Sequence, residues 1–320
     1  MRWLLILLFA VALPTPADGQ WKKTRKAPAS EEIEEDPLSL AALMIRDGHW
    51  DRAQRVLDGV DPSDPETDQV RFHTLAGLVA FQQERWADAV TLLSTAQALG
   101  AAEEKLGLYV ALGLVELGYY QTALDASKGL LTGDAVEPWI LLGEALIRAR
   151  RPNEASLLLE EARLRFPDNA DLTLQLAGAL LKADKPLAAG MLLERAAQTH
   201  PALAKEGAEC LRRAGRLQRA LVLGAKVPDP AERYRQRLAL LIEMEDWERA
   251  AALEGRLDRV GALEDEDDLL YAVAYARFRV GDHGAASALL TRIRDPQTFA
   301  RATTLREAIA QCEAEPAACD

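Results

Sequence analysis

The sequence predicts an all-α array of paired helices, and three observations carry that prediction. Alanine recurs at Ala53, Ala89, Ala123, Ala155, Ala189, Ala220, Ala250 and Ala286, at intervals of 36, 34, 32, 34, 31, 30 and 36 residues. A period in this range marks one supersecondary unit stacked on the next. Each alanine lies three residues after a bulky or helix-starting residue: Trp50, Trp86, Tyr120, Pro152, Pro186, Leu217, Trp247 and His283. A second small residue stands twelve positions before the alanine in most copies, at Ala41, Gly77, Ala111, Gly143, Ala177, Ala208 and Ala274. Helices cross closely only where the contacting side chains are this small. Composition agrees, since 110 of 320 residues are Leu or Ala and aromatics are only 6%, a poor basis for a β-sandwich or barrel.

Taken from the amino terminus, Arg2 precedes the apolar run from Trp3 to Leu13, followed by Pro14, Pro16 and the small stretch Ala17, Asp18, Gly19. This is the layout of a secretory signal over residues 1–19, cut before Gln20 or directly after Ala17. The run is too short for a permanent membrane span, and with no cysteine near the cut there is no atom for an acyl anchor. The expected destination is outside the cytoplasm, periplasmic or envelope-associated. Residues 20–36 turn from basic (Trp21 to Lys26) to acidic (Glu31 to Asp36) and read as a flexible leader. The repeats fill residues 37–294. Pro152 and Pro186 sit where a second helix begins, a position at which a missing N–H costs nothing. Pro167 and Pro201 close their pairs. Asp295 and Pro296 cap and start a last helix over residues 295–312, with Phe299, Ala302, Leu305 and Ile309 on one face. Residues 313–320 are left as a tail.

The fourth copy reads Trp139, Leu142, Gly143, Leu146, Pro152, Ala155, Leu159, Ala162 and Pro167, and the fifth repeats it as Leu176, Ala177, Leu180, Pro186, Ala189, Leu193, Ala196 and Pro201. The pattern resembles the tetratricopeptide repeat, in the manner of an exported bacterial-type member. The first three copies match through Trp50 and Ala53, Trp86 and Ala89, and Tyr120 and Ala123. The last three are weaker, with Leu238 in place of the small residue in the seventh and Arg277 at an apolar position of the eighth. The resemblance implies a right-handed α-solenoid of about eight antiparallel helix pairs, closed by a C-terminal capping helix.

Little here points to chemistry. Fifty acids against 38 bases give a formal charge of −12, which repels nucleic acid and offers no field to an anionic membrane. His49, His73, His200 and His283 stand far apart, with no second ligand at metal spacing. No Walker loop, dinucleotide fingerprint, nucleophile elbow or HExxH occurs. The expectation is therefore no catalytic residue, no metal and no cofactor. Arg212, Arg213, Arg216 and Arg219, and the acidic run Glu264 to Asp268, read as solvated surface. Cys210 reads as a buried small hydrophobe. Cys312 and Cys319 could form a bridge pinning the tail or stand as free thiols.

In arrays of this family the first helix of each pair lines the concave face. The resemblance carries that face onto Leu38, Ala42 and Ile45; Thr74, Leu78 and Phe81; Leu108, Leu112 and Val115; Ile140, Glu144 and Ile147; and Leu174, Gly178 and Leu181. The sixth copy adds Lys205, Glu209 and Arg212, and the eighth Tyr271, Tyr275 and Phe278. Leu38 and Ala42 stand where members that grip acidic tails use Lys and Asn, so an apolar or amphipathic helical segment suits this wall better. The function expected is a non-catalytic protein–protein interaction scaffold of the cell envelope. The alternative is a structural, self-associating repeat protein of an envelope, secretion or motility complex, so a homo-oligomer is compatible with the sequence.

Overall fold

The computed structural model describes residues 36–101, 104–129, 131, 134–264 and 266–315. The expected signal, the leader up to residue 35 and Cys319 lie outside the described residues. The chain divides into two compact units, Met1–Pro138 and Trp139–Asp320. Among the described residues both are built of helices, with no strand.

The first unit holds α1 (Pro37–Arg46) with α2 (Trp50–Leu57), α3 (Gln69–Gln82) with α4 (Trp86–Ala98), and α5 (Glu104–Glu116) with α6 (Tyr120–Ser127). The second opens within α7 (Glu137–Arg148) and continues through α8 (Pro152–Arg165), α9 (Ala170–Lys182), α10 (Pro186–Ala196), α11 (Ala204–Arg213) and α12 (Leu217–Gly224). It ends with α13 (Pro230–Glu243), α14 (Trp247–Ala251), α15 (Glu254–Arg259), α16 (Asp267–Arg279), α17 (His283–Leu290) and α18 (Pro296–Ala314). Each second helix starts on the residue three before its phasing alanine, from Trp50 to His283.

Local chemistry sets these boundaries. Asp36, Asp68, Asn169, Asp229, Asp246, Asp282 and Asp295 each accept a backbone N–H of the first helical turn that follows. Pro37, Pro152, Pro186, Pro230 and Pro296 occupy first-turn positions. The turn inside each pair recurs in detail. The residue five before the alanine has positive φ in all eight copies: Gly48, Glu84, Gly118, Arg150, Asp184, Gly215, Glu245 and Gly281. Its N–H and that of the next residue donate back to the helix, as Arg150 to Ile147 O at 3.1 Å and Arg151 to Leu146 O at 2.8 Å. This is a Schellman stop, and it aims the second helix back along the first.

Close crossings then bury the pair. A Cβ on Gly77 would stand 2.6 Å from Leu93 Cδ2, and one on Gly143 2.8 Å from Leu159 Cδ2. In both copies the glycine hydrogen leaves room for a leucine four residues past the alanine. In the first unit Leu38, Ala41, Ile45, Ala53 and Leu57 pack on Leu75 and Val79. In the second, one core runs from Ala197 to Ile309. Buried hydroxyls of Thr74, Ser127, Ser156 and Thr173 donate to carbonyls three or four residues back, which satisfies these four donors.

Two details differ from the sequence reading. The second helix of the seventh pair is broken into α14 and α15. Buried Leu238 takes the small-residue place there, and the position four past the alanine, leucine at 93 and 159, holds Glu254. The last helix runs two residues beyond 312, to Ala314. Cys312 on it is buried and disulfide-bonded, and Cys210 is free and buried.

Candidate functional site

The faces mapped for binding are not equally available. Six of the expected positions in the first unit are buried. Leu78 packs with Leu93, Ala96, Leu106 and Val110. Phe81 is buried edge-on against Trp86 and Tyr109, with ring centroids 5.1 and 5.0 Å away. Val115 is buried as well, as are Leu38, Ile45 and Thr74. Aromatic neighbours on α4 and α5 close over the α3 face, so these residues offer no surface to a ligand. Leu108 and Leu112 of α5 stay partly exposed.

In the second unit the expected face is open on two successive first helices. Ile140, Glu144 and Ile147 of α7 and Leu181 of α9 are half-buried, and Leu174 of α9 is 40% exposed. Glu144 accepts from Gln175 Nε2 at 2.7 Å, which ties α7 to α9 and gives the acid a partner. Between Leu174 and Leu181 stands Gly178, where a Cβ would meet nothing within 4 Å. The result is an aliphatic face with an open floor, fixed by one polar crosslink.

The next two first helices are charged. Lys205, Glu206, Glu209 and Arg212 of α11 and Glu232, Arg235, Gln236 and Ala239 of α13 line a cleft of about 390 Å³. Arg212 donates to Glu209 at 2.8 Å and to Glu243 at 2.9 Å, Arg213 also reaches Glu209, and Lys205 pairs with Glu232. Arg235 bridges Glu232 and Glu266. The Arg212 hydrogen bond holds the Glu209 carboxyl down at about 2, and the same contact, with Glu243, raises Arg212. Both stay charged near neutral pH, and neither is poised to exchange a proton. The sequence reading found the α11 residues and missed those of α13. Arg235 and Ala239 lie three before and one after Leu238, the offsets used for the other copies, but the large residue at 238 masks that register.

The aromatic stretch of the eighth copy is largely used in packing. Tyr275 stands edge-on to Trp247 at 5.5 Å, Phe278 stacks on His283 at 5.5 Å, and Arg301 lies over Tyr271. Arg279 covers Trp247, 4.4 Å from the ring centroid. Asp267 and Asp268 of the acidic run bind the start of α18, through the backbone N–H of Arg294 at 2.7 Å and the Thr298 hydroxyl at 3.1 Å. No group of three or more His, Cys, Asp or Glu side chains that could hold a metal occurs among the described residues. No described helix is long and apolar enough to cross a membrane.

Residues 28–180 match the family described as T7SS, ESX-1 secretion system protein EccA1, N-terminal domain. No curated protein matches the chain. Among solved structures, the C-terminal part of a TPR repeat-containing protein from Cytophaga hutchinsonii is similar at 16% identity and a TM-score of 0.50, over 70% of this chain and 96% of that one. A tetratricopeptide repeat protein from Parabacteroides merdae is 16% identical over 75% of this chain and 97% of its own, with a TM-score of 0.44. A thermophilic TPR protein of Thermus thermophilus is 23% identical over 54% of this chain and 99% of its own, with a TM-score of 0.32. Together with the eight identically phased turns, the Cytophaga likeness gives the fold: this chain is an all-α solenoid of the tetratricopeptide-repeat type.

Proposed function

We propose that the chain is a non-catalytic scaffold that holds an apolar or amphipathic segment of a partner protein on the inner faces of its first helices. The observation that carries this reading is the aliphatic face of α7 and α9, where Ile140, Ile147, Leu174 and Leu181 keep accessible surface around the open floor at Gly178. Each such anchor contributes about 1.5–3 kcal/mol on full burial, against an association cost of roughly 4–15 kcal/mol. Four anchors therefore bind weakly alone, and the segment extends into the charged cleft of α11 and α13. An amphipathic helix, with anchors three and four residues apart and a mixed-charge flank, has the matching pattern. The setting we infer is outside the cytoplasm, periplasmic or at the envelope. The apolar run at residues 3–13 and the likeness to a secretion-system domain support it. The net charge of −12 argues for a protein partner over a nucleic acid.

The test is affinity purification of the exported protein from its native source, beside Ile147→Asp, Leu174→Asp and the control Tyr119→Asp, an exposed turn residue. The expected outcome is one partner recovered with the wild type and the control and lost from both wall variants, at unchanged helicity. Equal recovery by all four proteins rejects the groove.

A further inference from the structure

Exposed apolar residues on the second helices of the second unit fall into a line. Leu157 of α8, Met191 of α10 and Val222 of α12 are 68%, 50% and 68% exposed. Each stands two residues past the phasing alanine of its copy, at Ala155, Ala189 and Ala220. Two residues carry the chain roughly 200° around the helix, so all three point away from the first helix on which the alanine packs. Leu164, 81% exposed and seven residues past Leu157, lengthens the apolar face of α8. In the other copies the same position holds Arg55, Thr91, Asp125, Ala252 and Ala288. A bulky apolar side chain there is thus confined to three consecutive repeats. Exposed apolar residues repeated at one register, unlike single scattered ones, suit an interaction site.

The flanking charges say what covers it. On α8 the line is bordered by Glu154, Glu160 and Glu161, on α10 by Glu194 and Arg195, on α12 by Arg219, and in the turn just past α12 by Lys226. The border passes from acidic through balanced to basic, and a salt bridge from Arg219 to Glu194 ties α12 to α10 along it. A strip with this polarity is complementary to itself reversed, the condition that an isologous twofold contact imposes.

We propose that this face is a homodimer interface, with two copies of the chain meeting on a twofold axis parallel to α10. That rotation sets α8 of one copy against α12 of the other and keeps their heights. Leu157 meets the partner's Val222, Met191 meets the partner's Met191, and Glu161 faces the end of the partner's α12, where Lys226 stands in the turn that follows the helix. An axis perpendicular to α10 in the same plane would set acid on acid and base on base. Glu161 and Lys226 have no salt bridge among the described residues, which leaves both free for this pairing.

Sedimentation equilibrium of the purified full chain tests the proposal, at concentrations up to roughly 100 µM, above the micromolar range of a small interface. The expected result is a reversible dimer whose dissociation constant rises at least tenfold in Met191→Asp. Glu161→Lys and Lys226→Glu each weaken it several-fold, and the double variant restores it. The charge variants carry the test if Met191→Asp loses helicity. A monomer at every concentration overturns the dimer and leaves the line to a different protein. A dimer indifferent to all these changes, or losses that add in the double variant, overturns the interface.

Discussion

At the residue scale, the turn five positions before each alanine is the most regular feature of the chain. All eight copies place one residue there in the left-handed region, yet only Gly48, Gly118, Gly215 and Gly281 suit it. Glu84, Arg150, Asp184 and Glu245 hold φ of 56–60°, at a steric cost of about 1–2 kcal/mol for an ordinary L-residue. Glycine removes that cost but adds backbone entropy of about 0.5–1 kcal/mol. Arg150→Gly is accordingly expected to stabilise the fold by about 0.5–1 kcal/mol in urea unfolding. Asp184→Gly should gain less, because a short polar side chain tolerates this region. The sequence showed the glycines but not that charged residues share their conformation, since nothing in Glu or Arg announces positive φ. Glu209 makes a second prediction at this scale. Its folded pKa of about 2 lies below its ordinary 4.5, so its ion pairs with Arg212 and Arg213 contribute stability that is complete above 4.5. That contribution fades as pH falls through the window down to about 2. Urea midpoints of wild type and Glu209→Gln should therefore differ at neutral pH and converge across that window.

At the element scale, the small residue of each first helix sets how near the second can come. Gly77 and Gly178 provide a contrast. A methyl on Gly77 would collide with Leu93, 2.6 Å from its Cδ2 and 3.2 Å from its backbone nitrogen, whereas one on Gly178 meets open space. Gly77→Ala is expected to destabilise by about 1–3 kcal/mol. Gly178→Ala should stabilise by up to about 1 kcal/mol through helix propensity alone. Opposite signs in chemical denaturation confirm the crossing geometry, and equal signs contradict it. The same alanine spacing made every second-helix start legible in the sequence, from Trp50 to His283. The break between α14 and α15 was not legible, since no proline marks it in the sequence. The wall was half legible for a related reason. Offsets within one repeat tell which way Leu78 or Leu174 points, but coverage comes from the neighbouring repeat. Leu106 and Val110 enclose Leu78, while at Leu174 the surface stays open.

At the scale of the whole molecule, repeats that bury their faces on sequence neighbours leave long surfaces with little local chemistry to name them. Within the second unit the first helices present an aliphatic face on α7 and α9 and a charge-paired cleft on α11 and α13. The second helices carry the apolar line of Leu157, Met191 and Val222. Composition foretold such an architecture, and the negative charge weighed against a nucleic-acid ligand. Neither named a ligand, since an interaction scaffold recognises its partner by the shape and spacing of anchors, with no motif dictated by reaction chemistry. The central claim is that the floor at Gly178 is where a partner segment lies. A photo-crosslinking side chain introduced there in the native cell tests it most directly, with the same group at Leu164 for comparison. One adduct with a different protein is expected from position 178, and it disappears when Ile147→Asp is added. Adducts from 178 that join only this chain to itself, or that persist in Ile147→Asp, would contradict it.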